Sequence, residues 1–141
     1  MKVAVGCDHG GLDLKYIVIS VLKDLGHEID DQGCNSSESV DYPNFAKAIS
    51  SLVNDGKCER GILICGTGIG MSMAANRIPG IRAALCHEMF SAMMSREHND
   101  ANILCLGARV IGQGLAAEVV RTWMTTDFAG GRHQRRIDMF K

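Results

Sequence analysis

The chain has 141 residues, 46% hydrophobic and 22% charged, which is the size and make-up of one globular domain with its own core. Its 15 basic and 16 acidic side chains leave a net charge of −1, giving no basic field for nucleic acid or an anionic membrane surface. No apolar run approaches the ~20 residues of a membrane span, the opening Met1–Gly6 lacks a signal-peptide core, and six cysteines without a Cys-x-x-Cys pair read as reduced thiols of a cytoplasmic protein.

Short apolar, β-branched runs alternate with helical patterns. Strands are expected at Lys2 to Cys7, Glu28 to Asp31, Gly61 to Cys65, Ile81 to Cys86 and Ile103 to Leu106. Between the first two, Leu14, Ile17, Val18, Val21, Leu22 and Leu25 keep the i, i+3, i+4, i+7 spacing of a helix with one buried face. Asp41-Tyr42-Pro43 opens a second helix with an early proline. Its stripe is Phe45, Ala46, Ile49, Leu52 and Val53. A third helix starts near Gly68 or Gly70 and runs to about Asn76, a fourth covers Glu88 to Glu97, and a fifth Gly112 to Met124. Strictly alternating strands and helices predict a parallel sheet covered on both faces, in one domain over 1–141. After Gly130-Gly131 comes a basic tail; residues 127–141 hold four basic and two acidic side chains.

In such sheets ligands bind beyond the carboxyl ends of the strands, where strand order reverses. With order 2-1-3-4-5 that point lies between the first and third strands, which end in Cys7-Asp8-His9 and Cys65-Gly66-Thr67-Gly68. Cys65 precedes a glycine-rich helix start, where free N–H groups and a partial positive charge favour a thiolate. Such surroundings bring a cysteine pKa from about 8.5 down to roughly 3.5–7.5. A buried strand cysteine before a tight turn is the plainer alternative. Known anion loops fit poorly. Gly70-Met71-Ser72 lacks the lysine of a P-loop, and the glycine spacing departs from a dinucleotide fingerprint. A cysteine phosphatase needs an arginine six residues after its cysteine, where Met71 stands.

Asp8 can exchange protons with hydroxyls or merely cap the turn at Gly10-Gly11, and His9 can donate to a phosphate. In Arg96-Glu97-His98-Asn99-Asp100, His98 offers a general acid and Asn99 an orienting amide. Arg132 and Arg136 share a face if the tail is helical and make a phosphate clamp, to which Arg109 adds a third guanidinium. Cys34, Cys58 and Cys86-His87 read as structural.

Taken together these segments resemble the type B ribose-5-phosphate isomerases, a family that includes galactose-6-phosphate and allose-6-phosphate isomerases. The resemblance rests on Gly6-Cys7-Asp8-His9, Asp41-Tyr42-Pro43, Gly61 to Gly70, Ser95 to Asn102, Gly107-Ala108-Arg109-Val110-Ile111-Gly112 and Gly130 to Arg136. It implies a flavodoxin-like α/β/α sandwich of order 2-1-3-4-5, and a homodimer or homotetramer whose active sites are shared between subunits. It implies no cofactor and no metal. It makes Cys65 the base that moves the C2 proton and His98 the ring-opening acid. It gives substrate binding to Asp8, His9, Gly66, Thr67, Gly68, Ile69, Gly70, Asn99, Arg109, Arg132 and Arg136. Other branches of the family carry a glutamate shortly after the cysteine position; no acid lies between Gly66 and Asn76 here, which places the chain in the cysteine branch. The expected reaction is ribose 5-phosphate to ribulose 5-phosphate through a cis-enediolate. A hexose-6-phosphate isomerase subunit is the alternative within the family, and a cysteine phosphatase or flavodoxin-like binding module the alternative outside it.

Overall fold

The computed structural model describes residues 1–140. The runs Lys2–Cys7 (β1), Arg60–Cys65 (β3) and Ile103–Gly107 (β5) are almost wholly buried, as strands covered on both faces must be. Glu28–Asp31 (β2) and Ala83–Leu85 (β4) are shorter and partly exposed. The helices are Leu12–Asp24 (α1), Tyr42–Asn54 (α2), Ile69–Ala75 (α3), Met89–Glu97 (α4), Gln113–Thr125 (α5) and Arg132–Ile137 (α6). The last of these confirms the helical geometry on which the Arg132–Arg136 pairing depended.

The sheet is parallel throughout, in the order β2-β1-β3-β5-β4, and forms the expected three-layer sandwich. The expected order 2-1-3-4-5 is corrected at its last two strands. All five residues of β5 are buried, so it needs neighbours on both sides. The three-residue β4 is partly exposed along its length and takes the edge. There Asn76 pairs its side-chain amide with both the N–H and the carbonyl of Ala83, at 2.8 and 2.9 Å, covering part of the open edge.

Right-handed crossovers then sort the helices by direction of travel. Connections leading toward β4 put α2 and α3 on one face. Connections leading back put α1 and α4 on the other, where α5, after the last strand, packs against both. One core cluster fills each side of the sheet: Ala46, Ile49, Leu63 and Met71 on the first, Val18, Leu22, Ile64 and Trp123 on the second. The predicted boundary between β1 and β3 survives the correction. Cys7 pairs with Ile64 and Cys65 with Gly107, so three strands end together at one edge.

Candidate active site

The carboxyl edge of β1, β3 and β5 is built as a stack of turns. Past the end of β1 the Asp8 N–H still donates to the Ile64 carbonyl at 3.0 Å, and past β5 the Ala108 and Arg109 N–H groups donate to Cys65 and Gly66, each at 2.9 Å. The strand ends are thus held in register beyond the sheet, which fixes the side chains they carry.

Cys65 is buried at the end of β3, and its Sγ accepts the Gly68 N–H at 3.1 Å. Gly68 has φ +77°, a left-handed conformation natural to glycine. A Cβ there would stand 2.5 Å from Leu85 Cδ1 and 3.0 Å from the Leu106 carbonyl carbon. Thr67 Oγ1 accepts the Ile69 N–H at 3.3 Å. The N–H groups of Gly66, Thr67 and Gly70 have no acceptor among the described residues. A thiol hydrogen-bonded by a turn amide therefore sits within a loop of free donors, an arrangement suited to a thiolate and to a second anion beside it.

Burial treats the other thiols differently. It pushes Cys7 up to about 12, with the touching Cys34 thiol adding to the shift. Burial also raises Cys58, Cys86 and Cys105, so these four stay protonated and inert.

Asp8 and Arg109 close on the same turn. Asp8 Oδ1 accepts the Gly10 N–H at 2.9 Å, so the residue does cap the short 3-10 turn His9–Gly11 while its second oxygen stays available. The exposed Arg109 side chain lies over Gly66 and Gly10. Cβ atoms at those glycines would be 3.5 Å from Arg109 Nη1 and 3.7 Å from Nη2. His9 Nδ1 accepts the Val40 N–H at 3.2 Å, which leaves the proton on Nε2 as a donor. Val40 is carried by the segment between β2 and α2, and the fully buried Lys15 anchors that segment: its Nζ reaches both Asp31 carboxylate oxygens (3.0 and 3.1 Å), the Cys34 carbonyl (2.7 Å) and Asn35 Oδ1 (3.0 Å).

Two further residues stand near this edge: Tyr42, for which the sequence suggested no site role, and His87, which it marked as structural. Tyr42, at the first turn of α2, packs against Gly70 so closely that a Cβ there would fall 2.6–2.8 Å from its ring and hydroxyl. His87, beyond β4, touches the end of β5. Both follow a recognisable signal, a polar aromatic group beside an element end, but only the tertiary fold says what each end faces.

The remaining expected residues stand elsewhere. His98 and Asn99 follow α4, which runs back against the strands, so they lie at the amino end of the sheet. β5 alone separates the two ends by about 13 Å, further than a five-carbon phosphosugar reaches. His98 stacks on His133 of α6, with ring centroids 4.1 Å apart and an 11° tilt. His133 is held below the usual histidine range by desolvation and by the neighbouring His98, Arg132 and Arg136. Arg132 and Arg136 are exposed and have no ion-pair partner among the described residues. Their neighbours Arg96 and Asp100 prove structural. Arg96 Nη1 binds Asp100 (2.9 Å) and the Ala101 carbonyl (2.6 Å), and Arg82 binds the other Asp100 oxygen at 3.0 Å, fixing the turn that presents His98 and Asn99. A cavity of about 340 Å³ at the β4 edge opens beside Asn99 and is also lined by Arg82, Ser95 and Phe140. Within one chain, then, the expected site residues fall into two groups at opposite ends of the sheet.

The family model described as ribose/galactose isomerase matches residues 3–140. Ribose-5-phosphate isomerase B of Escherichia coli is 47% identical, over 97% of this chain and 92% of its own length. The structure of ribose-5-phosphate isomerase B from Clostridium thermocellum superposes with a TM-score of 0.96 at 53% identity, covering 98% of this chain and 93% of that one. The type B enzyme of Trypanosoma brucei gives 0.97 at 43% identity, covering 99% and 96%.

Proposed function

The chain belongs to the ribose/galactose isomerase family and is an aldose–ketose isomerase, and from that premise we propose that it interconverts ribose 5-phosphate and ribulose 5-phosphate with Cys65 as the proton carrier. The observation that carries this reading is the Cys65 turn: a buried thiol bonded to one amide, in a loop where the N–H groups of Gly66, Thr67 and Gly70 have no acceptor among the described residues. Isomerisation needs a base for the C2 proton and donors for the oxyanion that its removal creates. The turn supplies both within one short loop. A phosphatase reading loses its last support because the position needed for a phosphate-binding arginine is Met71, fully buried in the core.

The open-chain sugar presents C2 to the Cys65 thiolate. The thiolate takes the C2 proton, and the electron pair moves onto the carbonyl oxygen to give a cis-enediolate. Free turn amides stabilise its charge; removal of one such donor from comparable sites costs about 3–4 kcal/mol of barrier. The Cys65 thiol then returns the proton to C1. The free oxygen of Asp8 passes the hydroxyl proton between O2 and O1. His9 Nε2 and Arg109 hold the phosphate beside the turn.

Ring opening falls to His98, and Asn99, Arg132 and Arg136 complete the substrate contacts. They act on the site of a second copy, because within one chain they lie at the far end of the sheet. The functional unit is thus a homodimer or a multiple of it, each site joining the carboxyl-edge half of one subunit to the α4–α6 half of the other. No metal takes part in the proposed steps.

The deciding experiment measures turnover of ribose 5-phosphate, allose 6-phosphate and galactose 6-phosphate by the purified homomer, with and without exhaustive chelation. Ribose 5-phosphate should be preferred and turnover should survive chelation. Preference for either hexose phosphate would reassign the substrate, and reversible loss on chelation would replace the metal-free route.

A further inference from the structure

We propose that His87 is a positioning residue for the catalytic turn, acting through the last residue of β5. The β4–β5 ladder stops early: Leu85 pairs with Cys105, and the Cys86 N–H makes a final backbone bond to the Cys105 carbonyl at 3.3 Å. β5 runs on to Gly107, whose N–H points toward the side that β4 no longer covers. His87 Nε2 accepts that N–H at 3.1 Å. The imidazole thus replaces a missing strand residue and must be unprotonated at Nε2 to do so.

Gly107 is the residue against which the catalytic turn rests. A Cβ on it would fall 2.6 Å from the Thr67 carbonyl oxygen and 2.9 Å from His87 Nε2. The next two residues donate to Cys65 and Gly66. A shift of Gly107 is therefore passed to both sides of the Cys65–Gly68 turn and to the base of Arg109. His87 holds Gly107 by its N–H, on the edge of β5 that β4 leaves open. Small displacements of reacting groups carry large rate penalties, on the order of 100-fold per ångström.

This inference rests on the reading of that turn as the enediolate site, and its test separates the two. His87→Ala and His87→Leu remove the acceptor, the second keeping side-chain bulk; His87→Gln offers a carbonyl oxygen to the same N–H. In the intact protein, the Ala and Leu variants should lower kcat for ribose 5-phosphate at least about tenfold with KM within about threefold. The Gln variant should stay within about threefold of the parent in both. Parental kcat in the Ala and Leu variants, or equal loss in all three, would overturn the proposal. Amide NMR supplies the independent readout: Gly107 and Thr67–Gly68 resonances should move in Ala and Leu and return toward the parent in Gln. If the parent does not turn over ribose 5-phosphate, the functional reading fails. The amide shifts then still decide whether His87 holds the turn, and unmoved resonances would overturn it.

Discussion

Cys65, the proposed proton carrier, accepts the Gly68 N–H at its buried sulfur. Burial raises Cys7, Cys58, Cys86 and Cys105 and keeps them protonated. A serine at position 65 would keep the hydrogen bond but put a hydroxyl, intrinsically a far weaker acid than a thiol, in place of the sulfur. Cys65→Ser and Cys65→Ala should both cut kcat by several orders of magnitude. Each should leave the cooperative unfolding transition within about 1–2 kcal/mol of the parent, since one small side chain changes. Rapid turnover by either variant, measured with substrate in excess, would remove the thiol from the proton transfer. Asp8, His9, Cys65 and Arg109 were all legible in the sequence, because each is a reactive type at or just past the carboxyl end of a strand. The amide bonded to Cys65 was not, because it depends on the φ of Gly68 and no residue type other than glycine announces it.

At the level of elements, the Cys65–Gly68 turn is possible only because β3, β5 and α3 meet without a side chain between them. Gly68→Ala tests that closeness. The left-handed backbone costs about 1–2 kcal/mol for an alanine, and the new methyl would press on both the Leu85 side chain and the rigid Leu106 backbone. Thermal unfolding should therefore show a clear loss of stability. Turnover should fall further than stability, because the Gly68 N–H would leave Cys65. A stable variant with normal turnover would mean the turn is not closely packed. The same elements show where reading along the chain fails. The five strands and first five helices were visible as apolar runs and helical patterns, and the sixth helix only as a basic tail that could be helical, yet Ile81 to Cys86 looked as strong a strand as Ile103 to Leu106. In the fold only Ala83–Leu85 pairs. Ile81 packs below it, and Arg82 turns its guanidinium to Asp100. Strand order follows from which run is buried on both faces, and local pattern does not record that. His87 read as structural for the same reason: the role proposed for it exists because β4 stops short of β5.

For the whole molecule, the buried thiols make stability depend on pH in a defined direction. Cys7 is raised from 9.0 to about 12, and the unfolded chain has no such burial. Between those values the folded state holds a proton that the unfolded state has released. Stability is therefore full below about pH 9 and falls as pH rises toward 12, by up to about 1.4 kcal/mol per pH unit for each such thiol. Urea midpoints measured from pH 8 to 11 should decline, and Cys7→Ala should decline less steeply; parallel curves would mean that the thiol ionises freely in the fold. The position of Cys65 and His98 at opposite ends of one sheet makes the proposed sharing of sites between subunits testable. If each site draws Cys65 from one subunit and His98 from its partner, Cys65→Ala and His98→Asn homodimers should each be nearly inactive, yet repair one another when mixed and allowed to exchange. In a heterodimer both lesions fall in one site and the other is intact. With random exchange half the dimers are mixed, and activity should climb to about a quarter of the parent value. Sites built within one chain would give no recovery at any mixing ratio, because every site would keep its own lesion. Recovery would also fail if His98 took no part, but then the His98→Asn homodimer would already be active, so the two failures are told apart by the unmixed controls.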